Sequence, residues 1–352
     1  MQDQVRSLGH VQVRSSVHAR RLSQRPPGRD YTTADGRADA SPADRGLRGR
    51  PAVIALAVIT FRFDPVLEIG GWQVRWETVA LTAVVFLALL VAAWFASRSG
   101  RRTGLEPLRL DDLLYLTVAA VPGAVIVGRL AYGVDHLAFY RSHTGAFLDP
   151  SQGSISLLGA VVGGTITAAY LALLLDAPVR RWADVAATAL LLAIGLGKLS
   201  MILGGAGQGL PWLNTIATRF AGPGPWVSLA PGVPSYPSQA FEGAWALFGI
   251  LVLFVLHAGP VLRHLPGAVR QTGAWAAALA ERGEPVAPGR LRFGYPYLAA
   301  VAWWLSGRLV VAFTWRDRAV VGGLNAEQVM AIAVLVLIAA VVVVEALRGR
   351  RR

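Results

Sequence analysis

Four stretches place polar or charged side chains inside otherwise apolar segments. "GKLSMILGGAGQG" carries Lys198, the only lysine in the chain, since 33 of its 34 basic residues are arginine. "VGRLAYGVDH" carries Arg129, "YPSQAFEG" carries Gln239 and Glu242, and "WWLSGRLVVAFTWRD" carries Arg308. An ionised group at bilayer depth is costly and by default marks a functional site. Three cations against one carboxylate predict a cationic chamber that wants an anion. The anion available at that depth is a phospholipid phosphate. Arginine grips it with a planar fork and lysine as a point charge. Set against this, Arg129 and Arg308 each read equally well as snorkelling residues. Glu77 and Glu345 read as helix-end residues, and the six histidines as tail or loop residues.

The elements that must position these groups are membrane helices. The chain is 352 residues long, 54% hydrophobic and 16% charged, with a net charge of +13. That balance excludes an ordinary soluble protein and points to membrane spans. The basic charge fits the positive-inside rule rather than nucleic acid. With no cysteine, thiolate catalysis and disulfides are excluded, and any thiol must come from a substrate. Nothing in the pattern calls for a metal or a cofactor.

Seven candidate spans follow, each near the ~20 residues that cross a bilayer core. They run at about Val74–Ala96, Leu113–Val134, Ile155–Leu175, Val185–Gly204, Phe241–Leu262, Tyr297–Phe313 and Val329–Leu347. The fold class is therefore an all-α integral membrane protein. Arginine-rich segments ("SRSGRRTGLEPLR", "DAPVRRWAD", Arg263 to Arg292, "RGRRR") fall on one side of this count. The positive-inside rule places them and the C-terminus in the cytoplasm, and the N-terminus outside. The ten arginines of residues 1–50 run against that last placement. Those residues read either as a disordered basic tail or as a mis-called start, and residues 51–352 as one membrane domain. The loop from Ala206 to Pro237, rich in Pro, Gly and Trp, lies outside and covers the chamber or packs at the interface.

These stretches, in order, resemble the prolipoprotein diacylglyceryl transferase family across about residues 60–347. "FRFDPVLEIGGWQVRWE" is similar to the family's opening, and "GRLAYGVDHLAFY" to its second-span motif. "GSISLLGAVVGG" is similar to its third-span glycine motif, "GKLSMILGGAGQG" to its signature, "YPSQAFEG" to its Pro-Ser-Gln-x-x-Glu element and "GRLVVAFTWRD" to its late arginine motif. The resemblance implies transfer of diacylglycerol from phosphatidylglycerol to the lipobox cysteine of a prolipoprotein, with loss of glycerol phosphate, in the bacterial inner (plasma) membrane. It implies catalytic roles for Lys198, Arg308 and Glu242. It implies substrate contacts for Arg129, Gln208, Gly209, Tyr236, Gln239 and Arg316.

Several motif positions depart from the family pattern. Lys198 stands for the signature arginine, Met201 for its asparagine and Ala206 for its acid. Leu158 stands for the third-span histidine, Glu77 for the first-span tyrosine and Ala312 for the late glutamate. These departures leave a second expectation, a relative that binds phospholipid or lipoprotein precursor in the same chamber without turnover. Glu242 and Glu77 are the candidate proton acceptors once the histidine is gone.

Overall fold

The computed structural model describes residues 58–103, 106–148, 155–257 and 294–350. The N-terminal tail, the loop from Arg263 to Arg292, the end of the fifth span beyond His257 and the last two arginines lie outside the described residues.

The helices are α1 (Trp76–Thr103), α2 (Leu110–Asp135), the short α3 (Leu137–Ser142) and α4 (Thr144–Leu148), α5 (Leu157–Leu174), α6 (Val179–Ser200), α7 (Ser238–His257), α8 (Tyr295–Val311) and α9 (Ala326–Arg350). Among the described residues, seven helical segments are long and apolar enough to cross a membrane. They are the seven expected spans. Their ends differ where polar residues open a helix and mean hydropathy hides it. The fourth begins at Val179, six residues earlier than expected, behind Pro178 as N-cap. The last begins at Ala326 behind Asn325. Side chains such as Phe86, Leu90, Val118, Phe254 and Leu337 are exposed on the bundle surface, as lipid-facing helices require.

Among the described residues, six short strands add to the helices. β1 (Ile59–Phe61) pairs in parallel with β4 (Thr218–Phe220). β2 (Val66–Ile69) and β3 (Trp72–Arg75) form a hairpin, as do β5 (Ala319–Val321) and β6 (Leu324–Asn325). Each hairpin turns on a Gly-Gly pair with positive φ, Gly70–Gly71 and Gly322–Gly323, the conformation that two-residue hairpin turns demand.

Two packing regimes hold the bundle. α2 and α5 meet through Gly123, Gly128, Gly159 and Gly163, and a side chain at Gly163 would strike the Gly123 carbonyl. Small residues let membrane helices approach closely enough for dispersion to hold them. Ser156 starts α5: its N–H donates to Gly128 O at 3.0 Å and its hydroxyl accepts from Gly159 N. The second regime is a side-chain core of α5 to α9, built on Leu158, Leu191, Ile194, Trp304 and Leu305. Here α7 and α8 are locked by Trp245 and Trp303. Their rings stack 4.5 Å apart, and each indole N–H donates to the other's carbonyl, at 2.8 and 2.9 Å.

At one end of the bundle Arg180 pairs with Glu345 at 2.7 Å, and Arg181 donates to the Glu106 carbonyl at 2.7 Å. The arginine-rich helix ends therefore gather together. The strands and the loop from Ala206 to Pro237 form the opposite end.

Candidate active site

Near the strand-bearing end, α6, α7, α8 and α9 each bring one charged side chain to a common point. The last turn of α6 carries Lys198, whose Nζ lies 3.0 Å from Glu242 Oε2 on α7. Arg308 on α8 donates Nη1 to Glu242 Oε1 at 2.6 Å, and the Trp304 indole donates to the same oxygen at 3.2 Å. The other edge of Arg308, Nη2, pairs with Glu327 in the first turn of α9. The Lys198, Glu242 and Arg308 side chains are 8%, 1% and 6% exposed. These are buried ion pairs, whose mutual attraction offsets desolvation only in such close geometry.

The three residues expected to carry catalysis are thus in contact. The expected excess of cations is not there: Glu327 makes the cluster two against two. That carboxylate was missed, although "LNAEQ" carries a legible signal. Asn325 and Gln328 form a reciprocal cap, Asn325 N to Gln328 Oε1 at 2.9 Å and Gln328 N to Asn325 Oδ1 at 2.8 Å. An Asn followed three residues later by Gln before an apolar run marks a helix start, which sets Glu327 at the polar end of the span.

Trp315 caps the cluster. Lys198 Nζ lies 4.6 Å and Arg308 Cζ 5.8 Å from its ring centroid, a cation–π lid on two desolvated charges. Beside Trp315 sits Gly207, at φ 71°, where any side chain would meet Trp315, Met201 and Gln239. Gln239 is fully buried, and among the described residues neither its amide nitrogen nor its amide oxygen has a hydrogen-bond partner. An unpaired buried amide costs about 1–3 kcal/mol, so a ligand that pairs with it gains accordingly. Asp317 stands two residues after Trp315 and is exposed. Burial and nearby Asp135 push its carboxyl above the ordinary aspartate range, against the pull of Arg308, His136 and Lys198.

The other expected contacts build the surroundings. Arg316 donates to Gly209 O at 2.7 Å and to Ser235 Oγ at 3.2 Å, pinning the loop from Ala206 to Pro237 to the segment that follows α8. Gly209 N in turn donates to Tyr236 O at 2.9 Å. Tyr236 stacks on Trp212 at 4.1 Å. Gln208 donates to the Thr218 and Val233 carbonyls at 3.1 and 3.0 Å and accepts from Ser228. Its amide is therefore spent on the loop. Arg129 donates to Phe147 O at 3.0 Å and lies over Tyr140, tying α4 back to α2. Glu77, in the first turn of α1, sets its carboxylate against Gly204 in the signature stretch.

A family model for prolipoprotein diacylglyceryl transferase matches residues 65–274. The chain belongs to this family. It is 33% identical to the phosphatidylglycerol–prolipoprotein diacylglyceryl transferase of Beijerinckia indica over 55% of this chain and 68% of that protein. It is 29% identical to the enzyme of that name from Symbiobacterium thermophilum over 55% and 70%. With the Listeria innocua enzyme, identity is 23% over 78% and 87%.

Membership of the diacylglyceryl transferase family gives the motifs a physical sorting. The signature, Pro-Ser-Gln-x-x-Glu and late arginine motifs supply Lys198, Glu242 and Arg308 of the charged cluster. The second- and third-span motifs supply Gly128, Gly159 and Gly163 of the seam between α2 and α5. Leu158, at the place of the third-span histidine, is 2% exposed in the apolar core with Leu191 and Trp304. It offers no base, and its neighbours there are hydrocarbon.

Proposed function

We propose that this multi-pass membrane protein transfers the diacylglyceryl group of phosphatidylglycerol to the lipobox cysteine of a prolipoprotein in the bacterial inner membrane. The observation that carries this reading is the buried Lys198–Glu242–Arg308 junction under Trp315, with the unpaired amide of Gln239 beside it. Two paired cations at lipid depth suit a phosphodiester, and the amide suits headgroup oxygens. The gathered arginines at the other end support a cytoplasmic C-terminus, with the outer loop and the site on the opposite side.

In the reaction, the substrate's cysteine sulfur attacks the glycerol carbon that bears the phosphate. The carbon–oxygen bond breaks, a thioether forms, and glycerol phosphate leaves. Lys198 and Arg308 stabilise the charge that grows on the leaving phosphate. Glu242 holds both cations in place, and Gln239 orients the headgroup. Arg316, Gly209 and Gln208 keep the outer loop closed over Tyr236, and Arg129 fixes the helix pair behind it. The thiol's proton goes to Glu77. Glu242 is already held by Lys198, Arg308 and Trp304, whereas Glu77 faces the signature loop.

The test is turnover. Purified protein in micelles containing phosphatidylglycerol is mixed with a lipobox peptide, and the peptide mass is followed beside Arg308→Ala. A diacylglyceryl mass gain that the variant loses is the expected result. No gain from folded protein, while an active relative works in parallel, would leave only the lipid-binding reading.

A further inference from the structure

The site proposed for an anionic lipid already holds its full complement of carboxylates. Two cations face two anions, so a phosphodiester meets no free positive charge unless one carboxylate gives way. The two carboxylates are not equivalent. Glu242 is 1% exposed and receives Lys198, Arg308 and Trp304. Moving it would strand a buried charge, which is strongly destabilising. The Glu327 side chain is 20% exposed and pairs with the Nη2 edge of Arg308.

Glu327 is delivered there by the backbone of its helix. The Asn325–Gln328 cap fixes the first turn of α9. Gln328 Nε2 then donates to Leu309 O at 2.9 Å, clamping that turn to α8 one residue beyond Arg308. Asn325 and Gln328 are 5% and 2% exposed, so the clamp is buried while the carboxylate it presents is partly solvated. A carboxylate released at a helix N-terminus keeps a favourable field from the helix dipole.

We propose that Glu327 is a built-in competitor for the lipid phosphate. Its carboxylate occupies the outer edge of Arg308 while the site is empty, and the phosphodiester displaces it. Glu327 holds Nη2 and leaves Arg308 Nε without a hydrogen-bond partner among the described residues; a phosphate that grips that edge with two oxygens takes both nitrogens, so the carboxylate must leave Nη2. The exchange keeps Arg308 paired in both states. It also sets lipid affinity, because apparent binding is reduced by the fraction of protein in which the edge is taken. This inference rests on the lipid reading above.

The experiment titrates phosphatidylglycerol, and a neutral diacylglycerol with the same acyl chains, into wild type, Glu327→Gln and Glu327→Asp in nanodiscs. Glu327→Gln is expected to bind phosphatidylglycerol about fivefold more tightly and diacylglycerol as wild type does. Glu327→Asp, with its charge drawn back by one methylene, shows a smaller gain in the same direction. Unchanged or weaker phosphatidylglycerol binding in Glu327→Gln overturns the proposal while leaving the transferase reading intact. An equal gain for both lipids also overturns it, since that is a packing effect. If Glu327→Gln does not fold, Glu327→Asp decides alone. No phosphatidylglycerol binding by wild type or either variant would remove the lipid reading and this inference together.

Discussion

The α2–α5 seam and the α6–α9 cluster both lie on stretches that resemble family motifs, yet they are built on opposite principles. At the seam, backbone meets backbone through glycine, and no charge takes part in the contact. At the cluster, four helices meet through ionised side chains, and an indole closes the top. Added volume is what strains the seam, and an unpaired buried charge is what strains the cluster. A family motif is therefore no guide to chemistry by itself: two of these motifs build scaffold and three bring charge, and only the geometry separates them.

Substitutions in each region sharpen that contrast. The largest expected effect is Lys198→Ala, which should lower turnover by about 10²–10³-fold. Lys198→Arg keeps the charge, regains the bidentate fork and should match or exceed wild type. Turnover at saturating lipid reads both, and an alanine variant as fast as wild type would remove Lys198 from the chemistry. Glu77→Gln comes next, with a loss of about 10²-fold and unchanged phosphatidylglycerol binding. A fall in binding instead would make Glu77 a lipid contact rather than a proton acceptor.

Gly163→Val tests the seam. The added methyl groups press on the Gly123 carbonyl, and overpacking costs about 1–3 kcal/mol. Unfolding in detergent should shift to lower temperature, while the turnover of the folded fraction stays near that of wild type. A variant that stays fully stable would mean the helices can part without cost.

Asp317→Asn has the smallest effect. The carboxyl of Asp317 is raised in the fold by burial and by Asp135. The native state therefore binds its proton more tightly than the unfolded chain does. Its ionisation costs stability as pH rises from the ordinary aspartate value through the raised one. The asparagine variant should lose that decline and show a flatter stability profile over that window. Identical profiles for the two proteins would show that the residue titrates alike in both states.

The sequence made the spans legible because ~20 apolar residues leave few alternatives. Lys198, Arg308 and Glu242 were legible for the converse reason, as charges where lipid should be. Charge balance was not legible, because Glu327 stands at a span end, where carboxylates are ordinary. The capping pattern of Asn325 and Gln328 would have placed it there, but no pattern pairs it with Arg308 on another helix. The roles of Gln208 and Arg316 were hidden for a similar reason. Both bond to backbone carbonyls of a loop whose path no periodicity predicts. Strands of three residues, such as β1 and β4, fall below the length at which alternation can be read.

The parallel pairing of those two strands bears on biogenesis. Thr60 and Arg219, partners in the register, are 159 residues apart. The ribosome makes β1 before the first span and β4 only after the fourth. Through the insertion of α1, α2, α5 and α6, β1 must wait at the membrane surface with its edge unsatisfied, and the closing of so long a loop comes late. The β1–β4 pair is thus completed only after four of the seven spans have been made. A ribosome stalled before residue 218 would leave a nascent chain in which β1 has no partner strand and, of the charged cluster, Lys198 alone has been made.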